Sequence, residues 1–243
     1  VVITDVTASE AVLVLMGPNS RNLLSEISPN KLDNNNHPFG SAKEIEIGYG
    51  IARAHRISYV GELGWELYVG SDQACHIFEV LREAGEKYDL SLCGLHSLDS
   101  CRIEKGYRHF GHDITDEDHV LEAGLGFAVK KEKEAFIGKE AVIEKDNNGL
   151  SKYLYQFQLE DPDLMLFHNE PIYRDGELVS YLTSGNYGHF LGAAIGMGYI
   201  PLRGETIDSV EKSSFHIEIA GTMAKANISS KPLYDPVSKK IRA

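Results

Sequence analysis

The stretch SYVGELGWELYVG (58–70) holds the residue types from which a ligand-binding wall is built. If a tight turn centres on Glu62-Leu63, an even-length loop pairs Val60 with Trp65 and Tyr59 with Glu66. Residues directly opposite in an antiparallel pair share a face, with Cβ atoms about 4.5–5.5 Å apart. Tyr59 and Glu66 then stand beside Ile57 and Tyr68, while Val60, Trp65, Leu67 and Val69 take the other side, which reads as core. A carboxylate next to a phenol ring on a semi-apolar wall suits a flat heterocycle presenting two adjacent N–H donors. A charge-assisted bidentate pair supplies both strength and orientation. The same spacing also fits an ordinary glutamate and tyrosine on an exposed sheet face, and an odd-length loop removes the pairing.

A second polar cluster lies in LHSLDSCRIEKGYRHFGHD (95–113). Asp99 and Arg102 are one helical turn apart and able to pair, with Glu104 close by. His109 and His112 follow in a loop ending at Asp113. Zinc needs three or four ligands in a suitable geometry; the remaining candidates are scattered, so no metal site is assigned. Cys101 reads as a small core residue rather than a nucleophile. No G-x-S-x-G, P-loop or G-x-G-x-x-G is present. Glu122, in LEAGLGFAVK (121–130), precedes what reads as a glycine-punctuated strand.

The elements that must carry these residues follow from periodicity. Residues 3–16 alternate as one or two strands and end at Gly17-Pro18. Residues 19–28 form a short helix with Leu23, Leu24 and Ile27 inward. Two strands follow, broken at Gly48-Tyr49-Gly50. The clearest helix spans 71–88, capped by Ser71, with Ala74, Ile77, Phe78 and Leu81 as its apolar stripe. Further helices are expected at 95–105 and 136–149, the latter stopped by Asn-Asn-Gly. After residue 150 the texture becomes short alternating runs with no convincing helix, and Asp175-Gly176 marks a two-residue hairpin. These signals predict an α+β domain over 1–149 followed by a small all-β barrel or sandwich over 150–243.

The totals narrow the function. The chain has 243 residues, 42% of them hydrophobic, enough for a sizeable core. Its 36 acidic against 24 basic residues leave a net charge of −12, which excludes nucleic acid as the expected partner, since phosphate binding needs a positive surface. Three cysteines without CxxC spacing point away from a disulfide framework and toward a reducing compartment. No apolar run reaches the length of a membrane span. The opening VVITDVTASEAVLVLMGP, without Met and already strand-like, leads to the expectation of a preceding segment.

Six stretches in this order, VLMGPNSRNLL, ISYVGELGWELYV, RIEKGYRHFGHDIT, LEAGLGFAVK, FIGKEA and TSGNYGHFLGAAIGMGYIP, closely resemble the aminomethyltransferase (glycine-cleavage T-protein) family. They look most like the C-terminal folate-binding half of dimethylglycine and sarcosine dehydrogenases. The resemblance covers about residues 10–240. It implies a folate-binding α+β region followed by a β-barrel, with tetrahydrofolate as cofactor. Glu66 would match the glutamate that receives the pterin N–H donors, Tyr59 the tyrosine lining the same cavity, and Tyr187, in SGNYGHF, a residue of a barrel loop closing over the folate. The implied chemistry is one-carbon transfer from an aminomethyl or iminium donor, giving 5,10-methylenetetrahydrofolate. The donor would come from a flavin domain or a lipoyl carrier. FAD belongs only to a preceding part of a dehydrogenase-like protein. The family's catalytic aspartate falls before Val1, and Leu98 stands where T-proteins carry an arginine. A bacterial cytoplasm or a mitochondrial matrix is the implied location. A non-catalytic regulatory or assembly module of this fold, and a folate-dependent demethylase, are the alternative readings.

Overall fold

The structure is a computed structural model and describes all 243 residues. The chain forms two compact units, Val1–Leu98 with Val237–Ala243, and Asp99–Pro236. The boundary between these compact units falls inside a helix at 98/99, while the change of sequence texture lies at 149/150.

The first unit is a four-stranded antiparallel sheet with two helices on one face. Its strands are β1 (Glu10–Met16), β2 (Ala42–Ile47), β3 (Gly50–His55) and β4 (Gly64–Gly70), in the order β1-β4-β3-β2. Alternation decides which side is buried. Leu15, Ile45, Ile47, Ala52, Ala54, Trp65, Leu67 and Val69 all face the core. There they meet Leu23 and Leu24 of helix α1 (Ser20–Ile27) and Ile77 and Leu81 of α2 (Ala74–Gly85). The expected cap Ser71 does not start α2. Its backbone N–H is held by the carbonyl of Ser9, at the end of the β1–β4 pair, and the helix opens at Ala74 behind Gln73.

Helix α3 (Leu95–Glu104) carries the chain into the second unit, which continues through α4 (Lys139–Asn148). The unit is built on a closed barrel of β5 (Lys152–Leu159), β6 (Pro171–Arg174), β7 (Glu177–Gly188), β8 (Ala193–Pro201), β9 (Phe215–Ile219) and β10 (Thr222–Ser229), ordered β10-β5-β8-β7-β6-β9. Closure leaves no free sheet edge. The expected hairpin joins β6 to β7, with Asp175 at φ 50° and Gly176 at φ 86°, the left-handed pair that a two-residue loop requires. One capped turn of helix, α5 (Ile207–Val210), interrupts the otherwise all-β texture; Thr206 Oγ1 accepts from Ser209 N at 3.2 Å.

The residues that follow Glu122 are not the glycine-punctuated strand their pattern predicted. Their backbone donors close local turns, Ala123 N to His119 O and Leu125 N to Val120 O, both at 2.9 Å, and a single 3₁₀ turn follows at Gly126–Ala128. The Glu122 side chain anchors this segment. Its buried carboxylate accepts from Ser151 N (2.8 Å) and Ser151 Oγ (2.7 Å) and pairs with Lys145 Nζ (2.7 Å), tying the turn to the start of β5. Burial alone would raise its pKa, but these bonds outweigh that and hold it at about 2, against an ordinary 4.5. A lowered folded-state pKa stabilises at pH above the unfolded value and loses that contribution as pH falls toward the folded one. Glu122 is thus expected to contribute about 3 kcal/mol at neutral pH, lost between about pH 4.5 and pH 2. Glu122→Gln should flatten the acid limb of a urea-stability profile over that window; an unchanged limb would refute the assignment.

Candidate functional site

The open face of the first-unit sheet is built row by row. Antiparallel register sets Val14, Glu66 and His55 side by side across β1, β4 and β3, and Val12, Tyr68 and Arg53 in the next row. On one side of these rows Met16 is paired with Gly64, and on the other Glu10 with Gly70. Because Trp65, Leu67 and Val69 point into the core, Glu66 and Tyr68 must point outward, and both are half-buried. Val12 and Val14 are about half exposed, at 47% and 50%. The face thus offers an apolar strip, Val12 and Val14, beside the Glu66 carboxylate.

That carboxylate is held in place. Tyr68 Oη donates to Glu66 Oε2 at 3.1 Å, and the Tyr68 ring lies 4.6 Å from the His55 ring and 5.1 Å from the Arg53 guanidinium. Arg53 is fixed in turn by Glu10 at 3.0 Å. Burial, and then the bond to Glu66, push the Tyr68 phenol above its ordinary pKa, which keeps it a proton donor.

The faces of β4 are those its alternation predicted, but the pairing of Tyr59 with Glu66 is corrected. β3 ends at His55, and His55 is the residue opposite Glu66. Tyr59 lies in the connection 56–63, half-buried and outside any strand. Two features of the chain prevent the tight hairpin. Ile57 N bonds back to His55 O at 2.9 Å, a three-residue turn that ends the strand. Arg56 then plunges into the core, fully buried over the Trp65 ring at 5.0 Å. The connection returns toward the open face at Ser58, whose hydroxyl contacts Met16 Sδ at 3.8 Å. Tyr59 is therefore one residue beyond a contact with the same face, but not the cross-strand neighbour of Glu66.

Tyr187 belongs to the second unit. It sits within β7, opposite Ala194, and not on a loop as the resemblance implied. Its ring is half-buried and edge-on to His189 at 5.3 Å, and its carbonyl accepts from Ser100 Oγ at 2.6 Å.

The polar cluster of 95–113 is a buried network. Arg102 pairs with Asp99 at 2.6 Å, as its spacing predicted, and with Asp113 at 2.5 Å. Asp113, fully buried, also accepts from His109 N (2.9 Å), Thr183 Oγ1 (2.6 Å) and Ser184 Oγ (2.5 Å). Neighbouring strand residues normally point to opposite faces. A bulge between Leu182 and Ser184 aims both hydroxyls at one carboxylate. Burial raises the Asp99 pKa, but bonds from Asn186 and Arg102 and the Arg102 charge bring it below the ordinary value. Glu104 accepts from the backbones of Phe190 and Leu191 at 2.8 and 2.9 Å and so clamps the β7–β8 turn. These groups are consumed by structure.

Sequence reasoning missed His55, Arg53 and the two valines as parts of the wall. Alternation in ARAH and AVLVLM sends successive residues to opposite faces, but nothing local specifies which row each joins.

An α+β unit with a one-sided antiparallel sheet, together with a closed six-stranded barrel, defines the aminomethyltransferase architecture. The solved structure of glycine cleavage system aminomethyltransferase T from Bartonella henselae superposes with a TM-score of 0.79, covering 93% of this chain and 60% of that one at 24% identity. The model of the GCVT N-terminal domain matches residues 1–133, and that of the glycine cleavage T-protein C-terminal barrel domain matches residues 152–235. The chain belongs to the glycine-cleavage T-protein family. It is 39% identical over 239 residues to 4-methylaminobutanoate oxidase (formaldehyde-forming) of Paenarthrobacter nicotinovorans, covering 98% of this chain and 28% of that protein. It is 33% identical over 242 residues to the mitochondrial sarcosine dehydrogenase of Homo sapiens, covering 98% and 26%. The chain thus spans little more than a quarter of these relatives. No helix is long and apolar enough to cross a membrane.

Proposed function

We propose that the chain is the tetrahydrofolate-binding part of a one-carbon-transferring enzyme that takes its carbon from an aminomethyl or iminium donor. The observation that carries this reading is Glu66, an oriented, half-buried carboxylate beside the apolar strip of Val12 and Val14 on the open sheet face of a T-protein-family chain. The residues fit the group. The pterin would lie on Val12 and Val14, its adjacent N–H donors on the Glu66 carboxylate, with Tyr59 as a further lining residue. Two parallel N–H···O bonds to one charged carboxylate fix a planar ring in orientation as well as in place. When bound, tetrahydrofolate supplies the nucleophilic nitrogen that accepts the carbon unit. The chain's own part is to bind and orient, which lowers the barrier by converting an encounter into a positioned approach. The donor would arrive from a flavin-bearing part of the same enzyme, as in an amine dehydrogenase, or on a lipoyl carrier.

A hydrogen bond to a charged group contributes about 1.5–3 kcal/mol, and Glu66 would accept two. Glu66→Ala is accordingly expected to raise the Kd for tetrahydrofolate about 30-fold or more, measured by calorimetric titration. Equal affinity in the two proteins would remove this reading and leave a non-catalytic module of the same fold.

A further inference from the structure

We propose that Tyr68 is the positioning residue for the Glu66 carboxylate, setting the orientation in which it meets the donors of a planar ring. The inference rests on the proposed binding of tetrahydrofolate at this face and deepens it.

Residues two apart on a strand share a side, so Tyr68 is carried next to Glu66 by β4 itself, and its hydroxyl reaches Oε2 at 3.1 Å. A flexible glutamate on an open sheet face would otherwise sample several rotamers, and each binding event would have to select one. The phenol is itself immobilised. Arg53 lies directly across from it in register, with its guanidinium 5.1 Å from the ring, and Glu10 holds Arg53 at 3.0 Å. The ring of His55, the diagonal neighbour, closes in at 4.6 Å. Arg53 and His55 thus hold the ring from β3, Glu10 of β1 holds Arg53, and the hydroxyl the ring carries donates to Glu66. An ionised carboxylate has about four lone-pair sites. One bond from Tyr68 therefore fixes the group and leaves both oxygens able to accept from a ligand. The preorganised carboxylate loses little freedom on binding, which is how a supporting residue raises affinity without touching the ligand.

The test is a double-mutant cycle on tetrahydrofolate binding with wild type, Tyr68→Phe, Glu66→Gln and the double variant. Tyr68→Phe keeps the ring and its contacts with Arg53 and His55, and removes only the donor. The expected result is a Kd raised about five- to tenfold in the wild-type background and less than twofold in the Glu66→Gln background, with unchanged Tm. A residue that merely supports the sheet would give the same loss in both backgrounds, and that result, or equal affinity of Tyr68→Phe and wild type, overturns the positioning role while leaving the folate reading intact. Failure of wild type to bind tetrahydrofolate overturns both.

Discussion

Asp113→Ala is expected to destabilise the protein by about 3–5 kcal/mol, the range measured when one partner of a buried ion pair is removed. The cost arises from what is left behind. Arg102 is 2% exposed, and without Asp113 its guanidinium loses a fully buried charged partner while Asp99, its other ion-pair partner here, is 31% exposed. The hydroxyls of Thr183 and Ser184, brought to one point by the β7 bulge, lose their shared acceptor, as does the backbone N–H of His109. Urea denaturation should show the loss as a lower midpoint with unchanged slope, and Tm should fall on the order of 10 °C. Asp113→Asn, which preserves shape and one acceptor, should cost less. A loss below about 1 kcal/mol for the alanine variant would show that water replaces the carboxylate and that the network does not hold the barrel to α3.

Trp65→Ala should produce a loss of similar size, about 3–5 kcal/mol, by the cavity a large buried aromatic leaves. Trp65 is fully buried and has an unusual surround. Arg56 lies over it at 5.0 Å and Arg21 at 5.8 Å, while its indole N–H points at His37 Nδ1 at 3.4 Å. Arg56 donates to Asn34 and to the main-chain oxygens of His37, Ile241 and Ala243. Its positive charge is therefore met by the ring and by dipoles. Burial first, and then the like charge of Arg21, lower its pKa to about 10. Removing the ring withdraws both packing and the cation–π contact. Because Trp65 is the only tryptophan, unfolding of the variant is followed by far-UV circular dichroism. Trp65→Phe should recover most of the stability. If Trp65→Ala costs less than about 1.5 kcal/mol, the core behind Glu66 is not the rigid support for the open face that the fold implies.

Much of the architecture was legible in the residues. The helix at Ser20–Ile27 and the strands on either side of Gly48-Tyr49 follow from short-range periodicity and from glycine, and the structure has them where the pattern placed them. The Asp175-Gly176 hairpin and the Asp99–Arg102 pair are equally local, since both depend on a fixed spacing within one element. The strand expected after Glu122 failed for the opposite reason. Its apolar pattern was real, but Glu122 is drawn inward to Ser151 and Lys145, and those partners are more than twenty residues away in sequence.

The candidate site divides along the same line. Alternation in WELYV, a property of neighbouring residues, was enough to send Trp65, Leu67 and Val69 inward and leave Glu66 and Tyr68 facing out. Which residue stands across from Glu66 depends on how eight intervening residues travel, and that path is set by Arg56 entering the core and by Ile57 turning back on His55. The sequence by itself thus determined the class of fold, the family and the outward carboxylate. Only the tertiary structure decided that His55 rather than Tyr59 is its cross-strand neighbour, that Tyr68 is its hydrogen-bond donor, and that a bulge at Thr183 gathers two hydroxyls onto Asp113. Side-chain direction repeats every two residues and needs no distant partner, whereas register is a global compromise among packed elements.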